Sequence, residues 1–336
     1  MITCIHSNSE KAILEMKDES VDIICIDPPY LYLKNQKLER PFDETRFFKE
    51  CKRILTKNGF IIMFGRGTSF YRWNTILDSL GFTFKEEIVW DKIQGSNHLL
   101  PLNRCHETIS IHTKSKGVLN KVKIPYMELK KHNIDSIIQD IKRLKSVFTQ
   151  AKSFQAVLSF LEKNLVDFSS NKCMEQRSML RNGDCKENDR CVTVMNSIEN
   201  GMNEKSIIRQ YTGLNELRVA PNLRTGLFER DRCEKVLQQI EFGMNEKSII
   251  KQVRDHYSSI HPTQKPVRLL ERLIQLCLPD KPKNEITVVD FFAGSFSCAE
   301  ACHNLGLNFI GYEIDEEYFN LGKERVHNLG PHIFSN

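Results

Sequence analysis

Short apolar runs alternate with amphipathic segments through the first 116 residues. The runs at residues 2–5, 21–26 and 60–65 are rich in β-branched or aromatic side chains, which is typical of buried parallel strands. Residues 83–90 and 109–111 have strand-like composition as well. The segments between these runs place apolar residues at steps of three and four, which predicts helices. The alternation predicts a doubly wound, mostly parallel α/β sheet.

Capping signals set the predicted bounds of the first helices. Ser9 is predicted to cap a helix over residues 10–17, and Asp43 is predicted to cap the next one. The pair Asn58-Gly59 is predicted to end that second helix, because glycine favours helix termini. A third helix is predicted near residues 69–80.

The alternation returns in the last part of the chain. A predicted helix there carries one apolar face, formed by Leu269, Leu270, Leu273, Ile274 and Cys277. A strand over 286–290, a helix over 297–305 and a strand over 308–313 follow. This βαβ pattern predicts the second half of the same sheet.

The middle of the chain lacks this alternation. Apolar residues over 134–165 predict one amphipathic helix, or two with a break near Ser153. An internal repeat follows, since residues 187–210 match residues 229–252. Each copy is predicted to be a helix-turn-helix hairpin, which either reads DNA or only packs. The chain therefore divides into residues 1–116, a largely α-helical inserted domain at 117–257, and residues 258–336.

Composition restricts the class of protein. The 336 residues are 40% hydrophobic and 27% charged, as in ordinary globular domains, and no apolar run has the length of a membrane span. The net charge is +5, and residues 117–257 hold 24 Lys and Arg against 18 Asp and Glu, which suits a polyanionic partner. Eleven scattered cysteines and no signal-peptide pattern favour the cytoplasm. Cys298 and Cys302 share a helical face but lack further ligands, so no metal is expected.

The tetrapeptide Asp27-Pro28-Pro29-Tyr30 follows a predicted buried strand. Neither proline can donate to a strand ladder, so the strand must end there and leave Asp27 at the carboxyl edge of the sheet. Asp27 and the Pro28 carbonyl can accept both hydrogen bonds of an exocyclic amine, and Tyr30 can stack on its ring. The alternative is a proline-rich turn with an incidental acid.

A second candidate site follows the strand at 286–290. Asp290 leads into a turn of small residues, Ala293, Gly294 and Ser295, and Glu313 ends the next strand. An acid about 20 residues beyond such a turn can bind an adenosine ribose. The full dinucleotide glycine pattern is missing, so a cofactor with a single nucleoside fits better.

Three stretches, in this order, resemble the S-adenosylmethionine-dependent DNA amino-methyltransferases with permuted, β-type motif order. They are Asp27–Tyr30, His261-Pro262-Thr263-Gln264-Lys265-Pro266 and Asp290–Ser295. The resemblance covers about residues 1–116 and 258–328. It implies a Rossmann-like methyltransferase sheet, S-adenosylmethionine as cofactor and double-stranded DNA as substrate, with target recognition in the inserted domain.

The resemblance also implies roles for particular residues. Asp27, Pro28, Pro29 and Tyr30 would hold a flipped base. The implied cofactor-binding residues are Asn8, His261, Thr263, Lys265, Asp290, Phe292, Ala293, Gly294, Ser295 and Glu313, with the last at the ribose. One departure concerns position 296, where the family usually has glycine and this chain has Phe296.

Candidate DNA contacts come from two places. The polar, basic loop at 91–106 contributes Gln94, Asn97 and Arg104, although an ordinary surface loop is an equal alternative. The repeat contributes cation pairs four residues apart, Lys205 with Arg209 and Lys247 with Lys251.

The expected reaction is methylation of adenine N6, because Asp at the first motif position favours adenine within the family. The alternatives are a cytosine-N4 methyltransferase and a DNA-binding relative with impaired catalysis. The resemblance further implies a bacterial or phage-encoded restriction-modification context, in which a cognate endonuclease is a possible partner that the sequence leaves open. It leaves the recognition sequence open, along with the choice between a monomer and a homodimer.

Overall fold

The computed structural model describes residues 1–30, 40–93, 105–131, 133–145, 227–253 and 264–329. Its strands are β1 (Ile2–His6), β2 (Val21–Ile26), β3 (Leu55–Gly65), β4 (Thr83–Asp91), β5 (His106–Thr113), β6 (Lys123–Ile124), β7 (Met244–Asn245), β8 (Ile249–Lys251), β9 (Thr287–Asp290) and β10 (Asn308–Glu313). Its helices are α1 (Ser9–Glu15), α2 (Glu44–Ile54), α3 (Gly67–Ser79), α4 (Tyr126–Lys130), α5 (Ile134–Lys145), α6 (Leu227–Phe242), α7 (Val267–Leu276), α8 (Ser297–Leu305) and α9 (Glu316–His327). Within the described ranges, no helix is both long and apolar enough to cross a bilayer.

Eight of these strands form one sheet in the order β1-β10-β9-β2-β3-β5-β4-β8. Every neighbouring pair from β1 to β3 is parallel, and so is β4 with β8. Only β5 runs antiparallel to its neighbours. The predicted doubly wound, mostly parallel sheet is therefore confirmed.

Helices cover both faces of this sheet because successive side chains of each strand point to opposite sides. On one face, Ile23 and Ile62 pack with the apolar stripe of α7 and with α8. On the other, Ile24 and Ile61 pack with α1, α2 and α3. Strand β2 is buried along its whole length, as a central parallel strand with two covered faces should be.

Several predicted element bounds are confirmed, and one helix cap is corrected. The Asp43 carboxylate accepts a hydrogen bond from the Arg46 amide at 3.0 Å and caps α2. Helix α8 and strand β10 have the predicted bounds. Helix α1, however, is capped by Asn8 and not by Ser9, since the Asn8 side chain accepts from two backbone amides. The Ser9 hydroxyl instead donates to the Phe291 carbonyl at 2.6 Å.

The prediction that Asn58-Gly59 ends α2 is wrong. The helix ends at Ile54, and β3 begins at once with Leu55. Leu55 is fully buried opposite Val21, while Ile23 pairs with Phe60, so residues 56–59 form a bulge in β3. Burial of Leu55 in the sheet core outweighs the local preference of Asn58-Gly59 for a helix end.

The helix-turn-helix prediction is wrong for the second repeat copy. Helix α6 does end at Gly243, whose φ of +74° is left-handed. Beyond it, β7 pairs with β6 and β8 pairs with β4. Ile250 is fully buried in the main sheet, so sheet pairing overrides the helical spacing of its neighbours. The middle segment thus contributes an edge strand, and the first copy at 187–210 lies outside the described residues.

The remaining middle-segment prediction is confirmed as far as the structure describes it. Residues Ile134–Lys145 form α5, with Ile138 and Leu144 buried. The rest of the predicted 134–165 helix lies outside the described residues.

Candidate active site

The two halves of the chain meet where β2 lies beside β9. The connection from β2 continues to β3 on one side, and the connection from β9 continues to β10 on the other. This reversal is a topological switch point, and ligands of open α/β sheets bind at the carboxyl ends of the strands there. Asp27 directly follows β2, and Phe291 directly follows β9, so both predicted sites lie at this edge.

The Asp27 side chain is held through both carboxylate oxygens. Tyr30 donates its hydroxyl proton to Asp27 Oδ1 at 2.6 Å, and Lys265 Nζ donates to Oδ2. The turn is fixed further because the Ser69 hydroxyl donates to the Tyr30 carbonyl at 2.7 Å. The Tyr30 ring packs 6.0 Å from Trp73. Asp27 keeps 20% of its side-chain surface exposed, so a ligand can still reach it.

Glu313 forms the other side of the site, at the end of β10. Its Oε2 accepts the Gly294 amide and its Oε1 accepts the Asp315 amide, both at 2.8 Å. Burial raises the pKa of Glu313, against the effect of these amides. A carboxylate has about four lone-pair positions, so Glu313 can still accept a donor beyond its backbone amides. A hydroxyl group, as on a ribose, is a donor of this kind.

The turn after β9 is compact and closely tied to β10. The Ala293 amide donates to the Tyr312 carbonyl, and the Phe292 amide donates to Asp290 Oδ1, both at 2.9 Å. The pKa of Asp290 is raised to about 8, chiefly by burial and further by the nearby carboxylates of Asp27 and Glu313, against the Phe292 amide and Lys265. Asp290 therefore serves as a neutral, buried hydrogen-bonding group at pH 7.

Phe296 does not point into the site. Its backbone is left-handed, with φ of +55°, and its ring is fully buried. The ring lies against Phe319 of α9 at 6.2 Å and beside two glycines, Gly311 of β10 and Gly322 of α9. The Phe296 side chain, which replaces the family's glycine, is therefore packed in the core and points away from the turn that would hold the cofactor.

Two charged residues of the site were missed in the sequence. Glu107 Oε2 lies 3.3 Å from Lys265 Nζ, and Glu107 Oε1 pairs with Lys92 Nζ. Glu107 starts the antiparallel strand β5, so it lies at the same edge as the carboxyl ends of the parallel strands. A search for acids at the ends of parallel strands overlooks an acid near the start of an antiparallel strand. The available signal was a lysine just after one predicted strand and a glutamate just before the next.

Lys265 was expected near the cofactor carboxylate, and the structure places it between two protein carboxylates. Burial lowers the pKa of Lys265, but Asp27 and Glu107 raise it by more, and the net direction is upward. Its ammonium also lies 5.1 Å from the centre of the Phe64 ring. The side chain is therefore charged and fixed in position.

The other predicted residues fall into three groups. Asn8 adjoins Glu313, because the Ser7 amide donates to the Glu313 carbonyl at 3.0 Å. Lys247 and Lys251 line one cleft with Lys130 and Arg272, at the β8 edge of the sheet. The positions outside the described residues are Gln94, Asn97, Arg104, Lys205, Arg209, His261 and Thr263. Across the described ranges, no cluster of three or more His, Cys, Asp or Glu is arranged to hold a metal.

Comparisons with known proteins agree on one family. A model described as DNA methylase matches residues 21–324. The type II methyltransferase M.HinfI of Haemophilus influenzae is 27% identical over 155 residues, which are 39% of this chain and 43% of that enzyme. The DNA adenine methyltransferase YhdJ of Escherichia coli K12 is 43% identical over 72 residues, which are 21% of this chain and 23% of that enzyme. The chain thus spans less than half the length of these curated relatives.

Among solved structures, an M1.HpyAVI–SAM complex is 18% identical, with a TM-score of 0.47, and covers 97% of this chain and 100% of that one. The cytosine-N4-specific PvuII DNA methyltransferase is 11% identical, with a TM-score of 0.48, over 98% of this chain and 90% of that one. The family model extends across both halves of the sheet and the segment between them. The chain belongs to the family of N6 and N4 DNA methylases.

Proposed function

We propose that the protein transfers a methyl group from S-adenosylmethionine to the exocyclic N6 amine of an adenine flipped out of double-stranded DNA. One observation carries the proposal. Asp27, an acceptor held on a rigid turn, adjoins the Asp290–Ser295 turn and Glu313 at one edge of the sheet. A hydrogen-bond acceptor for an amine therefore lies next to a carboxylate that would bind a nucleoside.

Glu313 and the turn from Phe292 to Ser295 would hold S-adenosylmethionine, which supplies an electrophilic methyl group. The free lone pairs of Glu313 would accept the ribose hydroxyls. The Phe292 ring, packed 5.5 Å from both Phe42 and Phe47, offers an apolar wall beside the turn. Asn8, His261, Thr263 and Asp290 complete the proposed cofactor set, and Lys265 lies on the Asp27 side of the site.

Asp27 and its turn would activate the amine. The lone pair of an exocyclic amine is delocalised into the base, so the amine is a weak nucleophile. Both N–H groups of the amine would donate hydrogen bonds, one to Asp27 Oδ1 and one to the Pro28 carbonyl. These bonds would localise the lone pair on the amine nitrogen. Tyr30 would stack on the extruded base, with Pro29 keeping the turn rigid.

Two observations favour adenine over cytosine. The first motif position is Asp27, and the relative with the highest identity quoted above is named a DNA adenine methyltransferase. The substrate test is to incubate the protein with unmethylated DNA and labelled methyl donor, and to separate the digested nucleosides. We expect N6-methyladenine; N4-methylcytosine would support the second candidate activity, and label in neither would refute both.

Asp27→Asn tests the catalytic assignment. The amide keeps the shape of the side chain but loses a charged acceptor, so we expect kcat to fall by about 10²–10³, as when one preorganised polar group is removed from an active site. The Kd for S-adenosylmethionine, measured by calorimetry, should stay within twofold. Asp280→Asn, at an exposed position after α7, is the matched control. Unchanged kcat in Asp27→Asn would contradict the assignment.

Recognition of DNA is assigned to the segment 117–257, between a catalytic half at 1–116 and a cofactor half at 258–336. Lys247 and Lys251 line one cleft beside the edge strand β8, together with Lys130, Arg272 and one acid, Glu128, and this excess of cations supports a phosphate contact there. Gln94, Asn97, Arg104, Lys205 and Arg209 are the other proposed contacts. A cytoplasmic location and a partner endonuclease complete the proposal.

A further inference from the structure

Four charged side chains form a chain of ion pairs that begins at Asp27. Asp27 pairs with Lys265, Lys265 lies 3.3 Å from Glu107, and Glu107 pairs with Lys92. The exposed side-chain fractions are 20% for Asp27, 9% for Lys265, 8% for Glu107 and 5% for Lys92. These residues come from four separate places: the turn after β2, the segment before α7, the start of β5 and the end of β4.

Such an arrangement is costly for a protein to keep for stability alone. Removing charges from water carries a large desolvation penalty, and well-packed apolar residues usually serve folding as well or better. The four charges alternate in sign along the chain of pairs, so each inner charge, on Lys265 and on Glu107, is neutralised on two sides. The presence of all four charges beside Asp27 points to a role in the reaction.

The geometry around Asp27 indicates what that role is. Lys265 occupies Oδ2, and the Tyr30 hydroxyl occupies Oδ1 at 2.6 Å. A neutral hydroxyl is readily replaced by another donor, whereas a buried ammonium is not. Oδ1 is therefore the oxygen available to an incoming amine, and the Tyr30 hydroxyl marks the position where that amine would donate.

We propose that Glu107 is a positioning residue for methyl transfer, which keeps Lys265 charged and fixed on Asp27 Oδ2 so that Oδ1 stays directed at the target amine. The proposal rests on the function proposed above. It assigns Lys265 to the acceptor side of the site and not to the cofactor carboxylate. Lys92 holds Glu107 from the opposite side.

The proposal predicts a specific pH dependence. Within the described residues, Lys265 faces Asp27 from the β2 turn, Glu107 from β5 and the Phe64 ring from β3. The Asp290 carboxyl after β9 lies within electrostatic range of it, and Lys92 reaches it through Glu107. Without the Glu107 charge, one of the two carboxylates that raise the pKa of Lys265 is gone while burial still lowers it, so Lys265 loses its proton at a lower pH. A neutral Lys265 no longer anchors Oδ2, and kcat should then fall.

The experiment compares the pH profile of kcat in wild-type protein, Glu107→Gln and Glu107→Asp. In Glu107→Gln the alkaline limb of the kcat profile should move to lower pH. At a pH above this limb, kcat should fall by about tenfold for each pH unit by which the limb moves. Glu107→Asp should recover part of the shift, and the KM for DNA should stay within twofold. Glu87→Gln, an exposed position on the neighbouring strand β4, should behave as wild type. A limb in Glu107→Gln that coincides with that of Glu87→Gln would overturn the proposal.

Lys265→Met separates the two assignments of Lys265. We expect a fall in kcat of at least tenfold with the Kd for S-adenosylmethionine within twofold, measured by calorimetry. A Kd raised tenfold or more with little change in kcat would overturn the proposal, because Lys265 would then contact the cofactor. If Glu107→Gln does not fold, the double variant with Lys92→Met removes both charges beyond Lys265 and keeps Asp27 as its carboxylate partner. The same limb shift is expected, and its absence counts against the proposal.

A readout without methyl donor or DNA separates this proposal from the proposed function. The ammonium signal of Lys265 in nitrogen-correlated NMR, assigned by its loss in Lys265→Met, should be visible near pH 7 because the group is buried and hydrogen-bonded. It should broaden or vanish in Glu107→Gln. Wild-type protein that transfers no methyl group refutes the proposed function alone, whereas an unchanged signal in Glu107→Gln refutes the role of Glu107.

Discussion

Asp290 shows how one buried carboxyl group couples the site to the stability of the fold. Its pKa is about 8 in the folded protein, because of burial, against an ordinary value of 3.8. Between these values the folded state binds a proton that the unfolded state has released. The free energy of unfolding contributed by Asp290 is therefore largest below about pH 4 and is lost as the pH rises through 8.

Asp290→Asn should remove this dependence, since the amide oxygen can still accept the Phe292 amide and carries no proton to lose. From pH 5 to pH 7 the wild type should lose up to about 1.4 kcal/mol of stability per pH unit relative to the variant. Urea denaturation of both proteins across this range measures the difference. Asp280→Asn, at an exposed position, should follow the wild type at every pH. Parallel curves for wild type and Asp290→Asn would show that Asp290 is ionised at neutral pH.

Sequence patterns were enough to find the site residues at the carboxyl ends of parallel strands. These strand ends all lie along one edge of the sheet, so the residues there come together in the fold. Asp27 and Glu313 were found in this way, with Gly294 between them along the edge. Glu107 and Lys92 were not, since their place depends on the antiparallel direction of β5, which strand composition does not encode. The contact between Lys265 and Asp27 joins residues 238 positions apart, which no local pattern reveals.

At the scale of elements, the start of α8 depends on close packing with β10 and α9. Phe296 takes a left-handed backbone there, and its ring fits only because Gly311 and Gly322 carry no side chain. A Cβ atom at Gly322 would lie 2.3 Å from Phe296 Cδ2. The aromatic ring and the two glycines are therefore a matched set.

Gly322→Ala should destabilise the protein by about 1–3 kcal/mol, the usual cost of overpacking, although alanine favours a helix more than glycine does. Combining it with Phe296→Leu should recover part of the loss, because the smaller side chain makes room for the new methyl group. A double-mutant cycle in urea gives the coupling energy. Asn320→Ala, on the exposed side of α9, reports helix propensity alone. Additive effects of the two changes would contradict the packing argument.

Strand β8 is the element that sequence patterns predicted wrongly. Its three residues lie within a duplicated segment whose spacing is helical, and only the exposed edge of β4 makes a strand there favourable. Ile250→Ala should cost about 2–5 kcal/mol, because Ile250 is fully buried in the sheet core. Ile249→Ala, beside it and 45% exposed, should cost less than about 0.5 kcal/mol. Equal losses would indicate that residue 250 does not face the core.

At the scale of the molecule, the basic excess of the middle segment should appear in the salt dependence of DNA binding. Lys247→Ala and Lys251→Ala should each reduce the slope of log K against log salt concentration by about 1 if each cation meets a phosphate. Fluorescence anisotropy at several salt concentrations measures the slope. Lys17→Ala, at an exposed position between α1 and the central strand β2, which three strands separate from β8, should leave the slope unchanged. If Lys247→Ala and Lys251→Ala give the same slope as the Lys17→Ala control, this cleft does not belong to the DNA interface.

The alternation of strands and helices in the sequence was enough to predict the order of the two halves and the position of the inserted segment. The sequence did not predict how the inserted segment joins the sheet, because β6, β7 and β8 have only two or three residues each. Such short strands owe their existence to partners distant in sequence, and only the folded molecule specifies those partners.

The small ladder of β6 and β7 has an evolutionary consequence. Lys123 pairs with Asn245 and Ile124 with Met244, so residues 125–243 leave and re-enter the body of the protein at one place. The entropy of closing a chain segment grows only slowly with its length. A segment with joined ends can therefore be lengthened, shortened or exchanged between lineages as a cassette. On the proposed function, target preference would diversify by recombination at this ladder, while both halves of the sheet are inherited intact.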